Sequence, residues 1–548
     1  MINPDMAVAP VLLVWLAGTC ARVYRQAHYF QLEEYKNLRY LRWTLARRER
    51  WLPGRPLAAG LAGAAALFLL VEAPGSPPPV MIGLIAGAAA GWPPRRAEVK
   101  KPFRATGRAK RLLGGAWALA LVFALLVLAA IPSLPAHLQA AAAAALGFLL
   151  LLAAPLLLIL ANLLLFPLEA YLRRRYQLRA RRALDAVRPV VIGITGSYGK
   201  TSTKTYLAHI LNGRYRAYPT PKSYNTLMGI CLAINNDLAD DHSVEYFIAE
   251  MGAYIPGEIE RICALTRPTI SIVIEVGPQH LERFGSLENV ARAKYEIIRA
   301  LPADGVGIFN WDNPFVRAMY ERGHPQTRIA VSREADPAAV PPGGPRFVAS
   351  DIAESVEALA FTVTDTATGA RERFTAPLLG QHNVTNILLA TAAAVHEGMS
   401  LREVAWRVSS LQPAEARLVR QVTPAGITII NDAYSANPVG AASALSALAQ
   451  QGTGRRLLVT PGMVELGPLM APENRRLGEV AARHATDVIL VGPEQTAPIR
   501  EGLLGAGFAP ERVQSVRTLA EAVAWYQSNL QAGDTVLFLN DLPDTYST

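Results

Sequence analysis

Charge and cysteine are what this chain of 548 residues has least of. Charged residues make up 18% of it and aromatic residues 7%, against 51% hydrophobic residues, a balance too apolar for an ordinary soluble protein. The three cysteines (Cys20, Cys231, Cys263) stand at spacings that fit neither a disulfide framework nor a metal cluster, so they read as reduced, structural thiols. The stretches 74–79 and 132–137 contain no Lys or Arg at all. Length excludes a single domain, and the prior is about three or four.

What is present is distributed unevenly. The apolar excess lies almost entirely before residue 170, in runs at 6–21, 57–73, 80–94, 113–131 and 138–166. A spanning helix needs about 20 mainly apolar residues. The fourth run nearly suffices alone, the fifth exceeds it with Pro155 inside, and the first three need flanking residues. A cleaved signal peptide fits poorly, because Asp5 stands where a basic start belongs and four more runs follow. The net charge of +10 gathers in the linkers 22–55, 95–112 and 169–188, which hold nine, eight and seven Lys or Arg. Basic clusters flanking apolar runs point to a bilayer surface and away from nucleic acid.

Five spans would place every basic linker on the cytoplasmic side. The expectation is a multi-pass protein of the cell (inner or plasma) membrane, N-terminus outside, with everything after residue 167 in the cytoplasm. The linker Arg22–Trp51 mixes Tyr24, Tyr29, Phe30, Tyr35, Tyr40, Trp43 and Trp51 with arginines. It reads either as a helix in the headgroup layer or as a solvated helix. The bland alternative for the whole region is a large buried helical core.

Beyond residue 188 short β-branched runs alternate with helical patterns, which argues for α/β sheets. Strands are expected at Val190–Ile194, Tyr246–Ala249, Ile270–Ile274, Gly305–Phe309, Thr428–Ile430, Arg456–Val459, Val488–Val491 and Thr535–Leu539. Helices are expected at Ile387–Val395 and Leu401–Ser410, and a loop at 335–345. A boundary follows Pro413. The expected fold is an α-helical transmembrane domain (1–168) followed by two α/β domains, 189–414 and 415–548.

The first strand runs into Thr195-Gly196-Ser197-Tyr198-Gly199-Lys200-Thr201-Ser202 and then a helical pattern. Glycines let backbone N–H groups converge on phosphate oxygens, Lys200 supplies charge, and the Thr201 hydroxyl can hold Mg²⁺ at the positive helix end. Ile194 stands where the long form of this loop has its first glycine, so the shorter T-G-x-x-G-K-T form fits.

This loop resembles that of the Mur ligases, and further motifs follow in the order of that family. Ile248-Ala249-Glu250-Met251-Gly252 is similar to its acidic magnesium site. Gly277-Pro278-Gln279-His280-Leu281-Glu282 resembles the segment whose histidine ligates a second metal ion, and Ala291-Arg292-Ala293-Lys294 the segment whose lysine is carbamylated. Gly380-Gln381-His382-Asn383-Val384-Thr385-Asn386 resembles the adenine-side H-N-x-x-N motif. Arg417, Asp432-Ala433-Tyr434 and Asn437-Pro438 fit the opening of its last domain, and Gly462-Met463-Val464-Glu465-Leu466-Gly467 its G-x-M-x-E-L-G. Among subclasses the nearest resemblance is to the ligase that adds D-alanyl-D-alanine to a muramyl tripeptide.

The resemblance implies a P-loop central domain, a Rossmann-like C-terminal domain, and an amide ligase that activates a carboxylate as an acyl phosphate while splitting ATP to ADP. It implies two Mg²⁺ ions, with Thr201, Glu250, His280 and Lys294 as metal-site residues and CO₂ taken up as a carbamate on Lys294. It implies Lys200, Lys294 and His280 as catalytic groups. It also implies nucleotide contacts from Thr195, Gly196, Ser197, Gly199, Lys200, Thr201, Ser202, Asn383, Asn386, Arg417 and Asp432. Each residue has a plainer reading alone: His280 as a hydrogen-bonded histidine, Lys294 as a surface lysine, Asn383 as a loop cap.

Three departures are visible. The family's usual domain for a uridine-diphosphate sugar is not visible before the phosphate loop, and the five apolar runs occupy its place. Glu275 and Ala416 stand where Asn and Gly are usual, and Leu539–Tyr546 lacks the expected basic segment. The expected partners are the lipid bilayer, ATP, a carboxylate acceptor of cell-wall precursor type (soluble or lipid-linked) and an amino acid or dipeptide. A membrane-bound ligase building a poly-amino acid shares the same chemistry. An ATP-driven transporter is the reading from another class. A single phosphate loop, no second-site signature and apolar runs poor in ionisable residues count against it.

Overall fold

A computed structural model describes residues 5–52, 54–70, 79–92, 102–433, 437–452 and 454–540. They separate into two units, one up to Arg174 and one from Arg175 onward. The stretch 74–78, much of the 95–112 linker, Tyr434 and the tail from Asp541 lie outside the described residues.

The first unit is helical: α1 Asp5–Leu32, α2 Asn37–Leu45, α3 Arg48–Trp51, α4 Gly54–Leu70, α5 Pro79–Gly91, α6 Gly107–Ala130, α7 Ala136–Leu152 and α8 Ala154–Leu164. Helix α9, Phe166–Val187, leads out of it. The described part of each expected apolar run is largely helical, but among the described residues only Val8–Leu32 and Gly107–Ser133 have the length and apolarity of a span, with α7 and α8 together a third if a 63° bend is allowed. The described parts of α4 and α5 run to 17 and 13 residues. The expected linker beginning at residue 22 is helical as far as Leu32.

The bend between α7 and α8 has a chemical origin. Pro155 has no N–H to give the carbonyl of Leu151 four residues earlier. Leu151 O instead accepts a backbone N–H at the helix cap and Nη1 of the buried Arg22 at 3.0 Å, while Nη2 donates to Trp51 O at 3.0 Å. Glycine sets the packing of α1 on α5, since a Cβ on Gly91 would lie 2.8 Å from the Gly18 Cα. The described parts of the basic linkers meet at one end of this unit. Gln31 Nε2 donates to Arg104 O at 2.9 Å, and Arg111 Nε reaches Glu169 at 2.7 Å.

In the second unit all eight expected strands form, along with seven others. The first sheet contains β1 Val190–Thr195, β2 Ala217–Pro219, β3 Tyr246–Glu250, β4 Ile270–Val273, β5 Val306–Asn310, β6 Thr327–Ser332, β7 Phe347–Glu354, β8 Leu359–Asp365 and β9 Arg371–Ala376. Its order is β2-β3-β1-β4-β5-β6-β7-β8-β9, parallel as far as β7 and antiparallel beyond. The second sheet holds β10 Val419–Val422, β11 Thr428–Asp432, β12 Arg456–Thr460, β13 Asp487–Val491, β14 Val513–Val516 and β15 Thr535–Leu539, in the order β10-β11-β15-β12-β13-β14. Among the described residues only the β10–β11 pair there is antiparallel. Helices pack on both faces of the first sheet, where two apolar clusters form, one around Ile192, Ile272 and Leu388 and one around Phe247, Val273 and Ile297.

Candidate active site

β1 lies between β3 and β4, so the chain order reverses beside it and a crevice opens beyond its carboxyl end. The phosphate loop fills that position. Gly199, at φ 77°, starts the helix Lys200–Leu211, here α10. A Cβ at Gly199 would lie 2.4 Å from Asn386 Oδ1, and one at Gly196 would lie 3.0 Å from Tyr198 O, so both positions need glycine. Thr195 Oγ1 donates to Met251 O at 2.8 Å, and the Ser197 hydroxyl exchanges hydrogen bonds with the backbone of Gly277 at 3.0 and 3.1 Å. The loop is thereby clamped between the ends of β3 and β4.

Register brings the acid to the loop. Ile194 pairs with Glu250 across β1 and β3. Thr201 Oγ1 donates to Glu250 Oε2 at 3.0 Å, and Asn225 Nδ2 donates to its Oε1 at 3.3 Å. A residue with no sequence-based assignment joins them. Lys204, buried in α10, reaches Glu250 Oε2 at 3.0 Å and donates to Lys222 O at 2.5 Å. Its signal was helical spacing, four residues after Lys200 on the same face. Ser202 is buried within α10.

Lys200 folds back on its own loop, donating to Gly196 O at 2.6 Å and Ser197 O at 3.2 Å. Burial pushes its ammonium down to about 8, against the opposing pull of Glu250. Lys294, also buried, is held well below the ordinary lysine range by burial and then by the Lys200 charge. Neither Lys294 nor His280 touches Glu250 among the described residues; both lie close enough to Lys200 to feel its charge.

His280, at φ 53°, makes a short contact through Nδ1 to Glu465 Oε2, a residue of the G-x-M-x-E-L-G segment. Tyr254 stands edge-on to its ring at 4.5 Å, and Arg283 lies over the Tyr254 ring and 3.6 Å from Glu465. Burial lowers the His280 pKa, with Glu465 opposing.

The adenine-side motif sits at the start of helix His382–His396. Asn386 Oδ1 accepts from Thr203 Oγ1 at 3.2 Å, and Asn383 Oδ1 accepts from Tyr206 OH and Asn386 Nδ2, each at 3.1 Å. His382 is pushed down to about 4, first by burial and then by Arg333 and Arg417. Arg417 is near enough to depress Lys200 as well, and Asp432 Oδ1 accepts from the neighbouring Leu418 N–H at 3.2 Å. Glu275 is half-buried and accepts from Asn310 and Asn313, and desolvation raises it to about 7.

The donor set suits a nucleotide with Mg²⁺. The glycine cradle leaves room that a Cβ would fill, and one carboxylate with one hydroxyl is the sparse protein set Mg²⁺ takes beside phosphate oxygens. Comparison with known proteins agrees. Residues 194–394 match the Mur ligase middle domain and 416–540 match the Mur ligase glutamate ligase domain. The UDP-N-acetylmuramoyl-tripeptide–D-alanyl-D-alanine ligase of Bacillus subtilis is 31% identical over 360 residues, 66% of this chain and 74% of the relative. That of Mycobacterium leprae is 32% identical, over 63% of this chain and 70% of its own. MurF from Acinetobacter baumannii superposes with a TM-score of 0.58 at 26% identity, covering 68% of this chain and 78% of that one. At 22% identity, MurF ligase from Thermotoga maritima in complex with ADP shares the fold, with a TM-score of 0.59 over 68% and 81% of the two chains.

The chain belongs to the Mur ligase family, the ATP- and Mg²⁺-dependent enzymes that form amide bonds. Its central and C-terminal α/β domains have the Mur ligase fold, preceded by a helical region that contains apolar helices.

Proposed function

We propose that this ligase is anchored in the cell membrane by residues 1–168 and extends a peptidoglycan precursor peptide by one amide bond, using domains 189–414 and 415–548 in the cytoplasm. The amino substrate on this reading is D-alanyl-D-alanine, as the names of the MurF-type relatives state for those proteins. The observation that carries the reaction is the constellation at the end of β1, in which Lys200, Thr201 and Glu250 converge on a glycine cradle.

Making an amide from a carboxylate at neutral pH requires activation, which transfer of the ATP γ-phosphoryl group provides. Lys200 offsets the repulsion between the acceptor carboxylate and the phosphates. Thr201 and Glu250 would hold one Mg²⁺, and His280 and Lys294 a second. Bound there, the ions would neutralise phosphate charge and polarise the transferring group. Glu465 orients the His280 ring. Asn383 and Asn386 present amides on the adenine side, and Arg417 and Asp432 flank the nucleotide from the last domain. Lys294 is proposed to act as a carbamate. Burial beside Lys200 favours its neutral amine, the form that takes up CO₂.

The acceptor is proposed to be lipid-linked, because helices stand where a uridine-diphosphate-sugar domain is usual. The test is to incubate the purified full chain with ATP, D-alanyl-D-alanine and a muramyl tripeptide, either soluble and nucleotide-linked or lipid-linked, and to identify products by mass. A single added dipeptide on the lipid-linked acceptor is expected. A ladder of repeated additions would favour the poly-amino-acid reading, and no acceptor-dependent ADP release with either peptide would end the proposal.

A further inference from the structure

Helix α2 buries one side in an apolar cluster and still leaves large apolar side chains on its outward side. Tyr40 and Thr44 face inward, while Leu38 is 71% exposed, Leu45 55% and, beyond in α3, Trp51 40%. Arg42, Arg47 and Arg48 are exposed among them. The inward side is pinned. Tyr40 OH donates to Gln26 at 2.9 Å, and Asn162 Nδ2 of α8 donates to Tyr35 O at 3.1 Å and to Asn37 Oδ1 at 2.9 Å.

The cations divide into two groups. Lys36 and Arg39 pair with Glu34 and Glu33, and Arg50 lies 4.1 Å over the Trp43 ring. Arg42, Arg47 and Arg48 have no acidic partner among the described residues. Next to this face, α8 contains no charged residue and turns Leu156, Leu160, Leu163 and Leu164 outward. One asparagine side chain thus joins an all-leucine surface to a mixed leucine–arginine surface, the gradient met on passing from hydrocarbon to headgroups.

We infer that the outward face of α2 and α3 is a docking surface for the anionic phospholipid headgroups of the leaflet that anchors the chain. The inference rests on the membrane-anchored reading. Leu38, Leu45 and Trp51 enter the acyl boundary, and Arg42, Arg47 and Arg48 meet lipid phosphates. Each such cation strengthens attachment to an anionic leaflet by about fivefold.

The test uses the full chain in nanodiscs with an environment-sensitive fluorophore on Leu38→Cys, in a Cys20→Ser background. In phosphatidylglycerol discs the emission should shift to the blue, and quenching by neutral acrylamide should fall by about threefold or more relative to phosphatidylcholine discs. The combined change Arg42→Glu, Arg47→Glu and Arg48→Glu should remove that lipid dependence. A label equally open to acrylamide in both lipids overturns the inference. So does shielding that persists in dilute detergent, which would mean cover by the rest of the chain, or shielding that grows with protein concentration, which would mean a second copy. Anchoring is read separately by alkaline carbonate extraction. A chain that resists extraction while its label stays exposed defeats only the docking surface, whereas an extracted chain defeats the anchoring.

Discussion

Lys200 sits where its charge is needed and poorly solvated. Its pKa falls from 10.5 to about 8, so below about 8 it is protonated in folded and unfolded chains alike and the burial cost is present in full. Between about 8 and 10.5 the unfolded chain binds more protons, and stability from this group rises with pH. The cost is on the order of 3 kcal/mol. Lys200→Met should therefore lose ATP turnover by at least about a hundredfold, yet melt no lower than the native protein at pH 7 without ligand. The native protein should gain on the variant from pH 8 to 10.5, as followed by thermal melts. Melting well below the native value at pH 7 would refute the burial cost. Lys294 makes the opposite kind of prediction. Lys294→Arg keeps a cation but removes the amine, so turnover should fall by about tenfold to a hundredfold, and CO₂ depletion should slow the native enzyme without affecting the variant. Native turnover in Lys294→Arg at saturating ATP would end the carbamate reading.

Between elements, the contacts that matter join segments far apart in the chain. Asn386 reaches from helix His382–His396 to Thr203 in α10 and lies against Gly199. Asn386→Ala leaves the buried Thr203 hydroxyl without that acceptor, and ADP affinity measured by calorimetry should drop by about tenfold. An unchanged affinity would mean that this helix does not brace the loop. In the first unit, Arg22→Met should destabilise the detergent-solubilised protein by about 1–3 kcal/mol, the cost of losing a charge-assisted hydrogen bond to the Leu151 carbonyl. The loss should be smaller in a Pro155→Ala background, where residue 155 regains an N–H for Leu151 O; a strictly additive double-mutant cycle would disprove the coupling. Strands were legible where both faces are buried, as in β1 and β4. β9, Arg-Glu-Arg-Phe-Thr-Ala, escaped notice because an edge strand of a partly solvated sheet carries charges on its open side.

For the whole molecule the question is orientation. The described basic linkers meet at one end of the helical unit through Gln31, Arg104, Arg111 and Glu169. The same-side assignment, proposed from loop charge, is a matter for experiment. Reporter fusions after Arg111 and after Arg188 should both read cytoplasmic, and one near Pro77 external. An external reading at Arg188 would refute the proposed topology, because ATP would be out of reach.

By itself the sequence determined whatever depends on neighbours in the chain. The T-G-S-Y-G-K-T loop is legible because a phosphate is held by consecutive backbone N–H groups and the side chain of the next helix turn, all within seven residues. The order of motifs and the uneven basic charge are likewise linear properties. Tertiary structure alone decided which buried polar group answers which. Lys204 pairs with Glu250, Glu465 with His280, Asn386 with Thr203, and Arg22 with the Leu151 carbonyl. A buried donor or acceptor must find a partner, but packing chooses which one, and no local spacing encodes a partner that lies on another element far along the chain.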